Sequence, residues 1–152
     1  MIQILIAGAG KSANHLIDYF LKESLQQNWF ITVADGDAKM LTEKVGKHPN
    51  ALGIVLDITA TKDRQALVKQ ADIVVSLMPP HLHILLAKDC LQFGKHLITS
   101  SYISPELKEL NTAAKEAGCD VVVDYSGPNW VEEVIKATGG KKANVVYDSV
   151  AK

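Results

Sequence analysis

An α/β fold is predicted: a doubly wound parallel sheet in a three-layer αβα sandwich, folded as a single domain over residues 1–152. Three observations predict it. Short apolar runs alternate with longer amphipathic stretches along the whole chain. The run from Ile2 to Ala7 is apolar but for Gln3, as befits a strand covered on both faces. Directly after it, Gly8 begins a glycine turn that leads into helical periodicity. Alternation at this pace means βαβ units joined by right-handed crossovers, and a sheet of parallel strands needs helices on both faces.

The elements follow in order. Between Lys11 and about Gln26, residues Ala13, Leu16, Ile17, Phe20, Leu21 and Leu25 recur at helical spacing. Phe30 to Ala34 is a second strand, and a weaker helix runs from about Ala38 to Gly46. The turn His48-Pro49-Asn50 precedes a third strand, Ala51 to Leu56. A helix from about Lys62 to Gln70 leads into the strand Ile73 to Leu77, which Pro79-Pro80 ends. His81 to Phe93 reads as a helix stopped by Gly94, and His96 to Thr99 as a fifth strand. Ser104 caps the next helix with Pro105 at its first position, and that helix runs to Gly118. Asp120 to Asp124 is a sixth strand, Trp130 to Thr138 a further helix, and Asn144 to Tyr147 a last strand. That last strand either extends the sheet's edge or fails to dock. The chain contains no internal repeat, low-complexity segment or linker.

Composition narrows the function. Sixteen Lys plus Arg stand against seventeen Asp plus Glu, a net charge of −1, which leaves no basic footprint for nucleic acid or acidic lipid. Hydrophobic residues at 47% and charged residues at 22% rule out a disordered or collagen-like chain. No apolar run reaches the roughly 18 residues of a membrane span. The opening MIQILIAGAG lacks a cationic region and reads as a strand, not a signal peptide, so a cytoplasmic location is expected. Cys90 and Cys119 form no CxxC or Cys/His cluster, which argues against a disulfide framework or a zinc site. In His81-x-His83 the two rings sit two apart on a helix and point in different directions. Helix-start polarity is the expected role there, and no metal ligand is assigned.

The chemistry gathers at the glycine turn. Gly8-Ala9-Gly10-Lys11-Ser12-Ala13 matches G-x-G-x-x-A between a strand and a helix, the context the mechanism requires. Gly8 permits the tight turn, Gly10 lets a pyrophosphate approach its backbone, and Ala13 lets the helix pack closely on the strand. Free amides where Lys11 and Ser12 open the helix, with the dipole's positive end, attract phosphate by about 0.3–1 kcal/mol per charge. Ser12 and Asn14 add side-chain donors. A turn with no ligand, or a methyltransferase-type nucleotide site, are the alternatives. Asp35 closes the second strand where an acidic side chain accepts hydrogen bonds from an adenosine ribose diol, and Gly36 follows it in place of an arginine. NAD is therefore preferred over NADP, whose 2′-phosphate would meet like charge; the alternative is that Asp35 merely caps the next turn. Asp57 and Ile58 end the third strand and would border an adenine pocket, although Asp57 could equally cap the following helix. Met78, Pro79 and Pro80 end the fourth strand at the topological switch point and form a stiff wall for the pyrophosphate and nicotinamide ribose. In Thr99-Ser100-Ser101-Tyr102, Ser100 would contact the nicotinamide half, or the hydroxyls serve the helix at Ser104.

From Met1 to about Gly118 the chain resembles the cofactor-binding domain of the saccharopine dehydrogenase family. The resemblance rests on GAGKSANHLIDYFL, VADGD, LDI, VVSLMPPHLH and especially KHLITSSYISPELKELNTAAKEAG. It implies a Rossmann-like oxidoreductase that oxidises or forms a secondary amine between lysine and a dicarboxylate with NAD or NADP. It also implies that Gly8, Gly10, Ala13, Asp35, Asp57 and Pro79 surround the dinucleotide. The tail departs from that family: VVDYS, WVEEVIKATGGK and NVVYDSV, within about residues 114–152, resemble the quinone oxidoreductase branch of the medium-chain dehydrogenases. The expectation is an engineered chimera with a seam near 113–119; a natural truncated protein is the alternative. No segment is long enough for a substrate domain, so cofactor binding with little or no turnover is expected, and no catalytic residue is assigned. Two other readings are a nucleotide-sensing module like those that gate potassium transport, and a scaffold without ligand affinity. The pattern leaves the oligomeric state open.

Overall fold

The computed structural model describes residues 1–116 together with Glu132. Five strands, β1 (Ile2–Ala7), β2 (Trp29–Asp35), β3 (Ala51–Val55), β4 (Ile73–Ser76) and β5 (His96–Thr99), form one sheet in the order β3-β2-β1-β4-β5. All neighbouring pairs are parallel. The order reverses at β1, between the crossover to β2 and the one to β4, which is the switch point of a doubly wound sheet. The Rossmann-like α/β class is thus the observed one.

Helices cover both faces, which explains why β1 is apolar without alternation. Ile4 and Ile6 point to one face and join Ile31, Val33 and Val75. There they meet Ala13, just before α1 (Asn14–Gln27), Ile17 and Leu21 of that helix, and Leu41 and Val45 of α2 (Ala38–Val45). Leu5 and Ala7 point to the other face with Ala34 and Val74. That side is closed by Val68 of α3 (Thr61–Gln70) and by Leu86 and Cys90 of α4 (His83–Phe93). The central residues of β1, β2 and β4 therefore find apolar neighbours on both faces, while the edge strands expose Leu52, Val55 and Ile98.

Helix ends follow local chemistry. Asp37 caps α2 by accepting from the amides of Lys39 (2.8 Å) and Met40 (3.2 Å). Asn28 ends α1 and Gly94 ends α4, both in the left-handed conformation. Ser104 accepts from the amide of Leu107 at 3.3 Å and Pro105 takes the first position of α5 (Pro105–Glu109), as expected. The single helix expected to run on to Gly118 is instead divided. The amide of Leu110 tightens onto the carbonyl of Leu107, and Asn111, whose short amide competes with helical backbone, opens α6 (Asn111–Glu116). The first helix likewise opens with a 3-10 turn, Lys11–Ala13. The expected strand Asp120 to Asp124, helix Trp130 to Thr138 and strand Asn144 to Tyr147 lie outside the described residues, apart from Glu132. Among the described residues no helix is long and apolar enough to cross a membrane.

Candidate functional site

The backbone ladder continues past the strand ends at the carboxyl edge of the sheet. The amide of Gly8 donates to Ala34 (2.8 Å), Leu77 to Ala7 (2.8 Å), Leu56 to Asp35 (3.0 Å) and Ser100 to Ser76 (3.2 Å). These bonds hold the glycine turn, the Asp35 corner and the Leu77–Pro80 segment as one rigid rim around the switch point.

Gly8 has φ +104°, and a Cβ built there would lie 3.0 Å from the carbonyl oxygen of Leu77 and 3.2 Å from the sulfur of Met78. Both the backbone conformation and the approach of the segment that follows β4 demand glycine. Gly10 differs: a Cβ there would meet nothing within 4 Å, so its exposed backbone faces open space. No side chain caps the turn that Gly10, Lys11 and Ser12 begin, and both Lys11 and Ser12 are exposed. Ala13 is buried in the core against β1 and its amide returns to Gly10 at 3.0 Å. An uncapped first turn beside a bare glycine is a cradle of the size and polarity an anionic diester fits.

Asp35 bridges this turn to its own loop. One carboxylate oxygen accepts from the amide of Ala9 at 2.6 Å and the other from the amide of Asp37 at 2.9 Å. The bond to Asp37 is the turn-closing role expected of Asp35 as the alternative, and the bond to Ala9 ties its carboxylate to the glycine turn, while the cap of α2 belongs to Asp37. Lys44 reaches the same place from α2. Its ammonium donates to the carbonyls of Ala9 and Gly10, the latter at 2.7 Å.

Asp57 is exposed and does not cap α3, whose N-cap is Ala60. It accepts instead from the hydroxyl (2.7 Å) and amide (2.9 Å) of Thr59, which hold its carboxyl below the ordinary value, the hydroxyl most strongly. The side chain of Ile58 is buried and its carbonyl accepts from Arg64 at 2.8 Å. Met78 is half-buried over Gly8, and Pro79 and Pro80 are exposed where a 3-10 turn begins. Ser100 is half-buried beside the end of β4.

Two polar groupings make partnerships that the sequence did not announce. His83 is fully buried; its Nδ1 lies 2.7 Å from the hydroxyl of Ser76 and its Nε2 3.0 Å from that of Ser101. Burial lowers its pKa, and a neutral imidazole offers one donor and one acceptor to the two hydroxyls. His81 is exposed, so the two rings do diverge. Further out, Arg64 and Asp89 form a buried ion pair at 2.5 Å, with Gln65 donating to the second oxygen of Asp89 at 2.9 Å. Cys90 is a packing residue, its thiol pushed up to about 12, chiefly by burial and then by Asp89. Among the described residues no group of three His, Cys, Asp or Glu could hold a metal ion.

Comparison with known proteins adds to this geometry. The sequence profile of the saccharopine dehydrogenase NADP binding domain matches residues 4–122. The chain is 34% identical to the mitochondrial alpha-aminoadipic semialdehyde synthase of Bos taurus over 121 residues, 79% of this chain and 13% of that protein. It is 31% identical to the NADP+, L-glutamate-forming saccharopine dehydrogenase of Schizosaccharomyces pombe over 156 residues, 97% of this chain and 34% of that one. Apo saccharopine dehydrogenase (L-Glu forming) from Saccharomyces cerevisiae superposes with a TM-score of 0.68 at 27% identity, covering 78% of this chain and 26% of that chain. The chain spans about a third or less of the length of these relatives.

Proposed function

The chain belongs to the saccharopine dehydrogenase NADP binding domain family, and from that premise we propose that it binds a nicotinamide dinucleotide across the carboxyl ends of β1 and β4. The pyrophosphate rests on the backbone of Gly10, Lys11 and Ser12, with Gly8 and Ala13 shaping the turn. The adenosine ribose lies at Asp35 and the adenine toward Asp57 and Ile58. The nicotinamide half runs along Met78, Pro79 and Pro80 toward Ser100. Such a cofactor, when bound, supplies hydride transfer. The residues of this chain bind and orient it; none of them is assigned a catalytic role.

One observation carries the reading: an uncapped turn with open space at Gly10, tied through Ala9 to the carboxylate of Asp35. Asp35 favours a free ribose diol, and so NAD, while the family's description names NADP. Calorimetry with NADH, NADPH and adenosine is the test. Heat of binding for a dinucleotide, weaker for adenosine, supports the proposal. Its absence for both dinucleotides leaves only a scaffold.

Turnover needs a second group that positions a substrate carbon against the nicotinamide. The matched region is 34% or less of these relatives' length, so this chain by itself is proposed to bind without appreciable turnover. Lysine- or saccharopine-dependent reduction of NAD or NADP by the chain would contradict that. The origin of the tail in a quinone oxidoreductase-like chain, joined near 113–119, is likewise a proposal, and it rests on VVDYS, WVEEVIKATGGK and NVVYDSV alone, since the Schizosaccharomyces pombe alignment covers 97% of the chain and the family profile runs to residue 122. An uninterrupted natural reading frame at the source locus would overturn it.

A further inference from the structure

The site holds a cation whose position the cofactor choice must reckon with. Asp35 and Lys44 grip the same residue from two sides: the carboxylate takes the amide of Ala9, and the ammonium takes its carbonyl together with that of Gly10. In the proposed pose the adenosine ribose lies at Asp35, next to the pyrophosphate on Gly10, so an ammonium held at the carbonyls of Ala9 and Gly10 stands in the corner toward which substituents of that ribose project. Lys44 is half-buried and pairs with no carboxylate among the described residues. Its two protein partners are neutral carbonyls, and an ammonium has a third donor to give. Gly36 stands where an arginine commonly receives a 2′-phosphate, so the loop itself offers no cation.

We infer that Lys44 is the specificity-determining cation of this site: it neutralises the charge that Asp35 would set against a 2′-phosphate, and so admits NADP as well as NAD. The inference rests on the dinucleotide reading above and deepens it. A phosphate monoester beside a lone carboxylate meets repulsion; beside a carboxylate and an ammonium it meets a nearly neutral pair with a donor to spare. Lys39 is the rival cation in the first turn of α2, but it is exposed and faces Glu43 at 3.8 Å. Lys11 is exposed at the pyrophosphate position, a contact that both cofactors share.

The test is a titration of the full 152-residue chain with NADPH and NADH, followed by ligand fluorescence, for wild type, Lys44→Gln, Lys44→Arg and Lys39→Gln. Thermal melts of each variant accompany it. Lys44→Gln is expected to weaken NADPH about tenfold or more, the worth of one charge-assisted hydrogen bond, and NADH by less than about twofold. Lys44→Arg is expected to keep NADPH binding, and Lys39→Gln to leave the ratio of the two affinities unchanged. Equal losses for both cofactors in Lys44→Gln would make Lys44 a brace of the glycine turn and overturn the inference, as would a ratio set by Lys39. A wild-type chain that binds neither cofactor overturns the dinucleotide reading itself, an outcome distinct from both.

Discussion

Asp35 has both carboxylate oxygens committed, one to Ala9 at 2.6 Å and one to Asp37 at 2.9 Å, so its direction is set before any ligand arrives. Asp35→Ala is therefore expected to weaken NADH more than NADPH in a fluorescence titration, because only the unphosphorylated ribose uses both hydroxyls as donors to it. Equal weakening would remove Asp35 from the ribose. Gly8 is the second residue with a sharp expectation. With φ +104° and a Cβ position 3.0 Å from the Leu77 carbonyl, Gly8→Ala is expected to cost about 1–3 kcal/mol in urea unfolding. Cofactor affinity should fall with it, because β4 can relieve the clash only by leaving the turn. These two residues were legible in the sequence since each belongs to a local pattern whose spacing has a mechanism. Lys44 was not, because its partners lie 34 and 35 positions away and are backbone carbonyls, which carry no residue identity.

The described strands and helices were legible through apolar period together with breakers and caps such as Pro79-Pro80, Gly94 and Ser104, since burial on both faces writes itself into runs such as Ile2–Ala7. The division between α5 and α6 was not, because it turns on one tightened bond at Leu110 within a stretch of good helix formers. Nor was the bond between α3 and α4. Arg64 and Asp89 look like ordinary solvent-facing charges in the sequence, yet they are buried together at 2.5 Å. Removing one partner strands the other in an apolar setting. Arg64→Ala or Asp89→Ala is expected to cost about 3–5 kcal/mol, measured by denaturant midpoint, whereas an Arg64→Met, Asp89→Leu double change should cost much less. His83 links three further pieces, the end of β4, the start of α4 and the segment after β5. Its pKa is lowered from 6.5 by burial, so below that pH the unfolded chain binds a proton that the folded chain refuses. The stability His83 contributes is thus complete above about pH 6.5 and is lost as pH falls toward its depressed native value. His83→Gln should flatten this part of the stability profile. An unchanged slope would assign the acid sensitivity to other groups.

At the scale of the molecule, cofactor and fold are linked through the switch point, the centre of a rim whose four bonds join the ends of five strands. A ligand that binds there only in the folded state adds RT ln(1 + [L]/Kd), about 2.7 kcal/mol at a hundredfold excess over Kd. NADPH is therefore expected to raise the melting temperature of the chain with its concentration. A melting temperature indifferent to both dinucleotides would count against the proposed site. The sheet order has a consequence for synthesis. β1 is the central strand and precedes all the others, with its partner Ile73 in β4 lying some seventy positions downstream of Ile4. A polypeptide leaving the ribosome thus carries one flank of its most greasy segment unmated until three crossovers have emerged. Slow translation within that interval is the moment at which the nascent protein is most open to aggregation and to capture by chaperones.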